Sequence, residues 1–366
     1  LVLVPVFIAA AVAATPPAAP DTYAAGRAAI ADHHRLVSPK AVQERFEVEL
    51  NGTKQAISVR GADRDNPILL WVHGGPAAPE TPTAWMWQRP WEDFFTVVQW
   101  DQRGSGRSYP LNDPEALKPT LKPETYVADA VALIEHLKAR YGKRKVILLG
   151  HSWGSVVGLK VAAQRPDLLH AYVGMGQVIS FRENERVGYA WSLDQARKDG
   201  NAEAVRELEA IAPYPGDGPL NVAKMTTQRK WSVHYGGLAM HRQNADFYFR
   251  ARRLSPEYTP EERVAIGAGS ELTIGTMFPT LATTSMSEIR RLKVPVYMLL
   301  GRGDYTTPSS ITAAWMEGLK APRKQVFWFE NSAHLPMVEQ PGLVLRAVVD
   351  NVRPEAVRAG DGPKLD

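Results

Sequence analysis

The stretch Val146-Ile-Leu-Leu-Gly-His-Ser-Trp-Gly-Ser155 constrains this chain more than any other part of it, because an apolar strand-like run delivers a serine into the turn Gly150-x-Ser152-x-Gly154. The strand reads as Lys145–Leu149, and beyond the turn Val156, Leu159, Lys160, Ala163 and Gln164 carry a helical period that stops at Arg165-Pro166. Such a turn cramps the serine backbone, and only small neighbours let strand and helix approach while the hydroxyl stays in open space. The two glycines are therefore steric requirements, and the unit reads as a nucleophile elbow built on Ser152.

A serine hydroxyl is a poor nucleophile near neutral pH, so the elbow calls for an imidazole to take its proton and a carboxylate to hold that imidazole. Both are expected after the elbow, in the order acid then His. The buried-strand pattern Val294–Leu300 ends in Gly301-Arg-Gly-Asp304, and the strand Gln325–Phe329 runs into Glu330-Asn-Ser-Ala-His334. Asp304 and His334 are the candidates, each at a strand end. Turn chemistry is the plainer reading of an Asp in such a loop. Glu330 competes for the acid's role, but it shares a loop with His334 and lies only four residues before it. Other histidines are worse placed. His33 and His34 precede the first strand, His136 sits on a charged helix, and His170, His234 and His241 follow no strand end. His151 should point away from the neighbouring hydroxyl, and His73 should pack against the loop that it opens.

Attack on a carbonyl also needs donors for the developing negative charge, normally two backbone N–H groups. One belongs to the residue after the nucleophile, Trp153. The other comes from the loop after the third strand, where Pro67–Val72 leads into His73-Gly74-Gly75-Pro76. Gly75 is the expected donor, and Gly74 shapes the loop beside it. The loop Asp101-Gln-Arg-Gly-Ser-Gly-Arg-Ser108, after the strand Phe95–Trp100, reads as scaffolding, with the five donors of Arg103 tying carbonyls together.

Taken together, His73-Gly-Gly-Pro76, Asp101–Ser108 and Gly150-His-Ser-Trp-Gly-Ser155 resemble the proline iminopeptidase group of α/β-hydrolases, over roughly residues 45–175 and 290–352. The resemblance implies a mostly parallel eight-stranded sheet flanked by helices, with a helical cap inserted after the sixth strand. It divides the chain into core residues 26–176, a cap at 177–285 and further core at 286–366. It also implies hydrolysis of small esters, or of amides with a free amino end. Two departures stand out. Ala77-Ala78-Pro79 follows the oxyanion motif where the group usually continues with glycines, and the cap lacks the group's Trp-Glu signature for gripping an ammonium. Glu183 and Glu185 at the cap's start are the candidates for that grip, against the plainer reading of a solvated, charged helix start.

Aminopeptidase is thus the leading function, carboxylesterase or lactonase the alternative, and a non-catalytic ligand-binding member of the fold the remote one. Serine at the elbow excludes the covalent mechanism of relatives that carry Asp there. Substrate choice should lie in the aromatic-rich cap, where Trp191 is a candidate contact and Tyr189, Trp231, Tyr235, Phe247, Tyr248, Phe249 and Phe278 accumulate. Trp85, with Met86, Trp87 and Trp91, is expected to form the facing wall. The expected partner is a small molecule or short peptide. A formal charge of +4, from 43 basic and 39 acidic residues without long runs, gives no reason to expect nucleic acid. With no cysteine and no metal-binding motif, no cofactor is called for. Residues 1–14 are apolar but shorter than the ~20 residues that span a bilayer, and Ala11-Val12-Ala13 fits a cleavage site. A signal peptide followed by a Pro/Ala-rich linker to residue 25 predicts a periplasmic or secreted protein without stable membrane association once the signal is removed.

Overall fold

The computed structural model describes residues 21–363, so the apolar segment read as a signal lies outside the described residues. Eight strands form one sheet: β1 (Val42–Leu50), β2 (Thr53–Gly61), β3 (Ile68–Val72), β4 (Thr96–Asp101), β5 (Val146–His151), β6 (Leu169–Met175), β7 (Val296–Gly301) and β8 (Lys324–Phe329). Their spatial order is β1-β2-β4-β3-β5-β6-β7-β8. Strand β2 runs antiparallel to β1 and β4, and every other pairing is parallel. Parallel strands covered on both faces read as continuous apolar runs, and β3, β5 and β7 are buried along their whole length. β7 begins two residues after the predicted start because Pro295 has no N–H to give to a ladder.

The period of two sorts each strand between two core layers. Ile68, Leu70 and Val72 join Val146, Leu148, Val296, Met298 and Leu300 in one layer, under the helices Pro123–Tyr141 and Trp153–Gln164. Leu69 and Trp71 join Ile147, Leu149, Tyr297 and Leu299 in the other, against Val344 and Val348 of the helix Pro341–Asn351. The expected α/β arrangement is present, with its strand ends gathered on one edge.

Between β6 and β7 the chain leaves the sheet for a helical cap, and the Ser180–Ser285 bridge ties the two connecting segments together. Its main helices are Phe181–Lys198, Ala202–Ala210, Val222–His234 and Pro260–Met277. Ser180, Asn201, Asn221 and Thr259 each cap one of these helices with a side-chain oxygen, as polar N-caps do. The cap has its own small core of Ala196, Ala204, Leu208, Ile211, Tyr214 and Trp231.

The expected linker does not extend to residue 25. A helix spans Ala24–His33, Asp21 pairs with Arg27 just before it, and Arg253 lies over the Tyr23 ring. Those contacts dock the segment on the cap. Among the described residues no helix is long and apolar enough to cross a membrane.

Candidate active site

Ser152 stands between β5 and the helix Trp153–Gln164 with φ 53° and ψ −122°, a left-handed conformation costly for any residue with a Cβ. Ser152 N–H donates to the Met175 carbonyl at 2.9 Å, and the Ser152 carbonyl accepts from Ser155 N–H at 2.9 Å. A Cβ on Gly154 would lie 1.9 Å from the Val72 carbonyl oxygen, so only glycine lets the helix start pass the end of β3. Gly74 lies against the serine itself, since a Cβ there would sit 3.0 Å from Ser152 Cβ.

Because β5 to β8 are parallel, the segments after β5, β7 and β8 emerge at the same edge of the sheet, and these carry Ser152, Asp304 and His334. His334 Nδ1 lies 2.8 Å from Asp304 Oδ2. The carboxylate is otherwise saturated: Oδ1 accepts from Thr306 N–H at 3.0 Å and Thr307 N–H at 2.8 Å, and Oδ2 accepts from Thr307 Oγ1 at 2.9 Å. With Nδ1–H given to Asp304, the other ring nitrogen of His334 is left as an acceptor. Glu330 is drawn to the surface by Arg302, at 2.7 Å, and is not part of this cluster. Gly176, after β6, packs on the ring: its φ is +52°, and a Cβ there would lie 2.9 Å from His334 Nδ1.

The cap closes over the same place. Leu238 O accepts from His334 N–H at 3.0 Å, and Gly237 O accepts from Tyr305 N–H at 3.1 Å, so one cap segment holds both loops. A cavity of about 150 Å³ remains over the serine, bounded by Ser152, Gly75 and Trp153 below and by Phe181, Met225 and Phe278 above. Neither the Gly75 nor the Trp153 N–H is taken by another hydrogen bond among the described residues. Each is therefore available as a donor.

Glu185 lines this cavity and is only 1% exposed, which corrects the reading of it as part of a solvated helix start. Its carboxylate is engaged by the Tyr214 hydroxyl and by Arg229, both close enough to hydrogen-bond. Burial opposes the Arg229 charge, but the Glu185 carboxylate beside it raises the guanidinium overall. Asn184, also in the cavity, is 3% exposed and its Oδ1 has no hydrogen-bond partner among the described residues. Arg229, Tyr214 and Asn184 escaped the sequence reading because nothing in the spacing ties residues 184–185 to 214 and 229.

Other candidates sit elsewhere. Glu183 points to solvent and pairs with Arg186 one turn on. Trp191 stacks flat on Tyr305, at 4.0 Å between ring centroids, and so buttresses the Asp304 loop from outside the cavity. The expected tryptophan wall does not form. Trp87 and Trp91 pack with Trp71 inside the second core layer, and Trp85 gives its indole N–H to Ala251 O at 3.1 Å beside a different cleft. Amphipathic aromatics following a loop are pulled into whichever core lies nearest, and here that is the sheet's far face.

Beneath the cavity the loops are held by buried polar networks. His73 Nδ1 contacts Gly74 O at 2.8 Å and its Nε2 accepts from Gln102 N–H at 3.2 Å, which fixes a neutral ring; burial keeps its basicity below the ordinary value. Arg103 grips Asp129 with two bonds of 2.9 Å and reaches the Leu50 and Asn51 carbonyls. Tyr258 of the cap reaches down to Asp101, which Arg107 also holds at 2.9 Å. The Asp101–Ser108 loop is structural.

Strand order, elbow and cap together define an α/β-hydrolase scaffold. The chain belongs to the alpha/beta hydrolase family, whose model matches residues 69–347. It is 30% identical over 318 residues to a probable aminopeptidase, YbaC, of Bacillus subtilis, an alignment covering 86% of this chain and 98% of that protein. A proline iminopeptidase of Neisseria gonorrhoeae is 33% identical over 112 residues, covering 31% of this chain and 33% of the relative. Among solved structures, the Mycobacterium smegmatis proline iminopeptidase superposes with a TM-score of 0.62 over 86% of this chain and all of the other; at 19% identity it speaks for the fold alone.

Proposed function

We propose that this hydrolase is a serine aminopeptidase that releases a small or cyclic N-terminal residue through an acyl-enzyme. The observation that carries the reading is the Asp304–His334 hydrogen bond beside a cavity that contains Ser152 and two uncommitted backbone N–H groups. In this mechanism His334 takes the Ser152 proton as the oxygen attacks the acyl carbonyl, and Asp304 orients the ring and stabilises its cation. Gly75 and Trp153 N–H hold the oxyanion. The amine leaves with the proton from His334, and a water deprotonated by the same ring hydrolyses the ester.

Cavity size supports a small acyl group. A dry cavity of about 150 Å³ in another protein accommodates benzene, so a prolyl or alanyl unit fits here. The similarity to a probable aminopeptidase along nearly its whole length points the same way. One observation favours the carboxylesterase or lactonase alternative: Arg229 compensates the cavity's Glu185, which leaves less negative charge to attract an ammonium. Parallel assays of a proline arylamide, its N-blocked form and a short nitrophenyl ester separate the two. Preference for the unblocked amide supports the aminopeptidase, and equal cleavage of blocked and free amides refutes it. We read residues 1–14 as an export signal, which makes this a periplasmic or secreted enzyme. N-terminal sequencing of the mature protein tests that reading.

A further inference from the structure

His151 and Glu80 lie buried behind His334, and the mechanism above does not use them. Glu80 is 3% exposed and His151 is 2% exposed. Glu80 accepts from the Trp71 indole N–H through one carboxylate oxygen and meets His151 Nδ1 with the other. On its far side, His151 Nε2 lies 2.9 Å from the main-chain oxygen of His334. The two imidazole rings are 4.7 Å apart between centroids.

Hydrogen-bond accounting restricts the protonation of this group. A carbonyl oxygen can only accept, so the His151 proton facing His334 must be on Nε2. Nδ1 faces a carboxylate, and a proton must lie between them, on one partner or the other. Burial works against charge on both, yet each group's charge and hydrogen bond outweigh that cost for its partner: His151 is raised above the ordinary imidazole value and Glu80 is lowered below the ordinary carboxylate value. Each partner thus favours the charged form of the other across their shared hydrogen bond. A buried ion pair is seldom better for stability than a neutral pair of the same shape, so stability alone is a poor reason for this arrangement.

We propose that the Glu80–His151 pair is a positioning device for His334: it holds the main chain of that residue from behind. The inference rests on His334 being the base. Two loops that must act together are thereby joined, since Glu80 follows the Gly74-Gly75 oxyanion segment and His151 immediately precedes Ser152. Between the cap's Leu238, which accepts from its N–H, and His151, which donates to its C=O, the His334 backbone is held at both ends of one residue.

Glu80→Gln tests this with little change of shape. The Gln oxygen keeps the Trp71 bond, its NH₂ donates to a neutral His151, and the Nε2–H bond to His334 survives; only the charges are removed. Other charged or titratable groups around the rings stay in place: Asp304 on His334, Glu339 behind the same loop, and His73, Tyr248 and Arg252 near Glu80. The readout is the rate of Ser152 labelling by a fluorophosphonate, which requires no knowledge of the substrate. Glu80→Ala, which leaves His151 without its anchor, should slow labelling by about tenfold or more, since a misplacement of about 1 Å can cost about 10²-fold, and the conservative Glu80→Gln should restore it to within about twofold. A Glu80→Ala rate equal to the native one, or an equal loss in both variants, overturns the proposal. A second measurement reads the bond itself: ¹⁵N-histidine NMR should show His151 with a hydrogen-bonded proton on Nε2 in the native chain and in Glu80→Gln, and its absence also overturns the proposal. If His334→Ala keeps Ser152 labelling at the native rate, the base assignment fails instead, and the NMR result stands apart from that failure.

Discussion

Asp304→Asn separates the charge of the proposed acid from its shape. In the native site Oδ1 takes two backbone N–H groups, from Thr306 and Thr307, while Oδ2 takes Thr307 Oγ1 and His334 Nδ1. An Asn keeps its oxygen on the two backbone donors, because the reverse flip would leave both unpaired at roughly 1–3 kcal/mol each. Its NH₂ then faces the position of Oδ2. Thr307 can rotate its hydroxyl to accept, but His334 Nδ1 can accept only by losing its proton. The ring is driven to the Nε2–H tautomer, which cannot take a proton from Ser152. A trapped tautomer of this kind in another serine hydrolase lowers kcat about 10⁴-fold, equivalent to roughly 5 kcal/mol at 1.36 kcal/mol per tenfold. The assay is kcat on a proline arylamide or a short nitrophenyl ester, with a thermal melt alongside; the melt should stay within a few degrees. Full activity in Asp304→Asn would refute the reasoning and hand the acid's role to another carboxylate.

Four further outcomes are expected. Ser152→Ala should lower the hydrolysis rate by about 10⁶-fold without unfolding the protein, checked by single-turnover kinetics and circular dichroism; retained hydrolysis would remove the mechanism. Gly154→Ala drives a methyl group to 1.9 Å from the Val72 carbonyl oxygen, so it should destabilise by about 1–3 kcal/mol or more in urea titration. Arg229→Met leaves the buried Glu185 carboxylate unpaired and should cost about 3–5 kcal/mol, with Glu185→Gln in the same chain recovering part of the loss. The Glu80–His151 pair adds a pH signature to stability. The raised His151 contributes fully below the ordinary imidazole value and loses its contribution as pH rises through its folded value, whereas the lowered Glu80 contributes above the ordinary carboxylate value and loses its contribution as pH falls through its folded value. Urea midpoints across pH should therefore decline on both sides less steeply in Glu80→Gln than in the native chain.

The parts of this protein legible in its sequence are those where a local rule admits one solution. Strand, Gly-x-Ser-x-Gly and helix can be joined only as an elbow, and the parallel strands announce themselves as apolar runs because both faces are covered. Loops at strand ends then carry Asp304 and His334 to one edge by topology alone. Burial of isolated cap residues was not legible. Glu183 and Glu185 stand two apart on one helix and look alike in sequence, yet a helix turns about 100° per residue, so one meets solvent and the other the cavity. Trp85, Trp87 and Trp91 likewise carry no sign of which core will take them. Pairings such as Glu185 with Arg229, or Glu80 with His151, join positions 44 and 71 residues apart. Spacing says nothing about such pairs, because they exist only once the cap helices have packed on one another and the loops after β3 and β5 have met, with water excluded from the space between them.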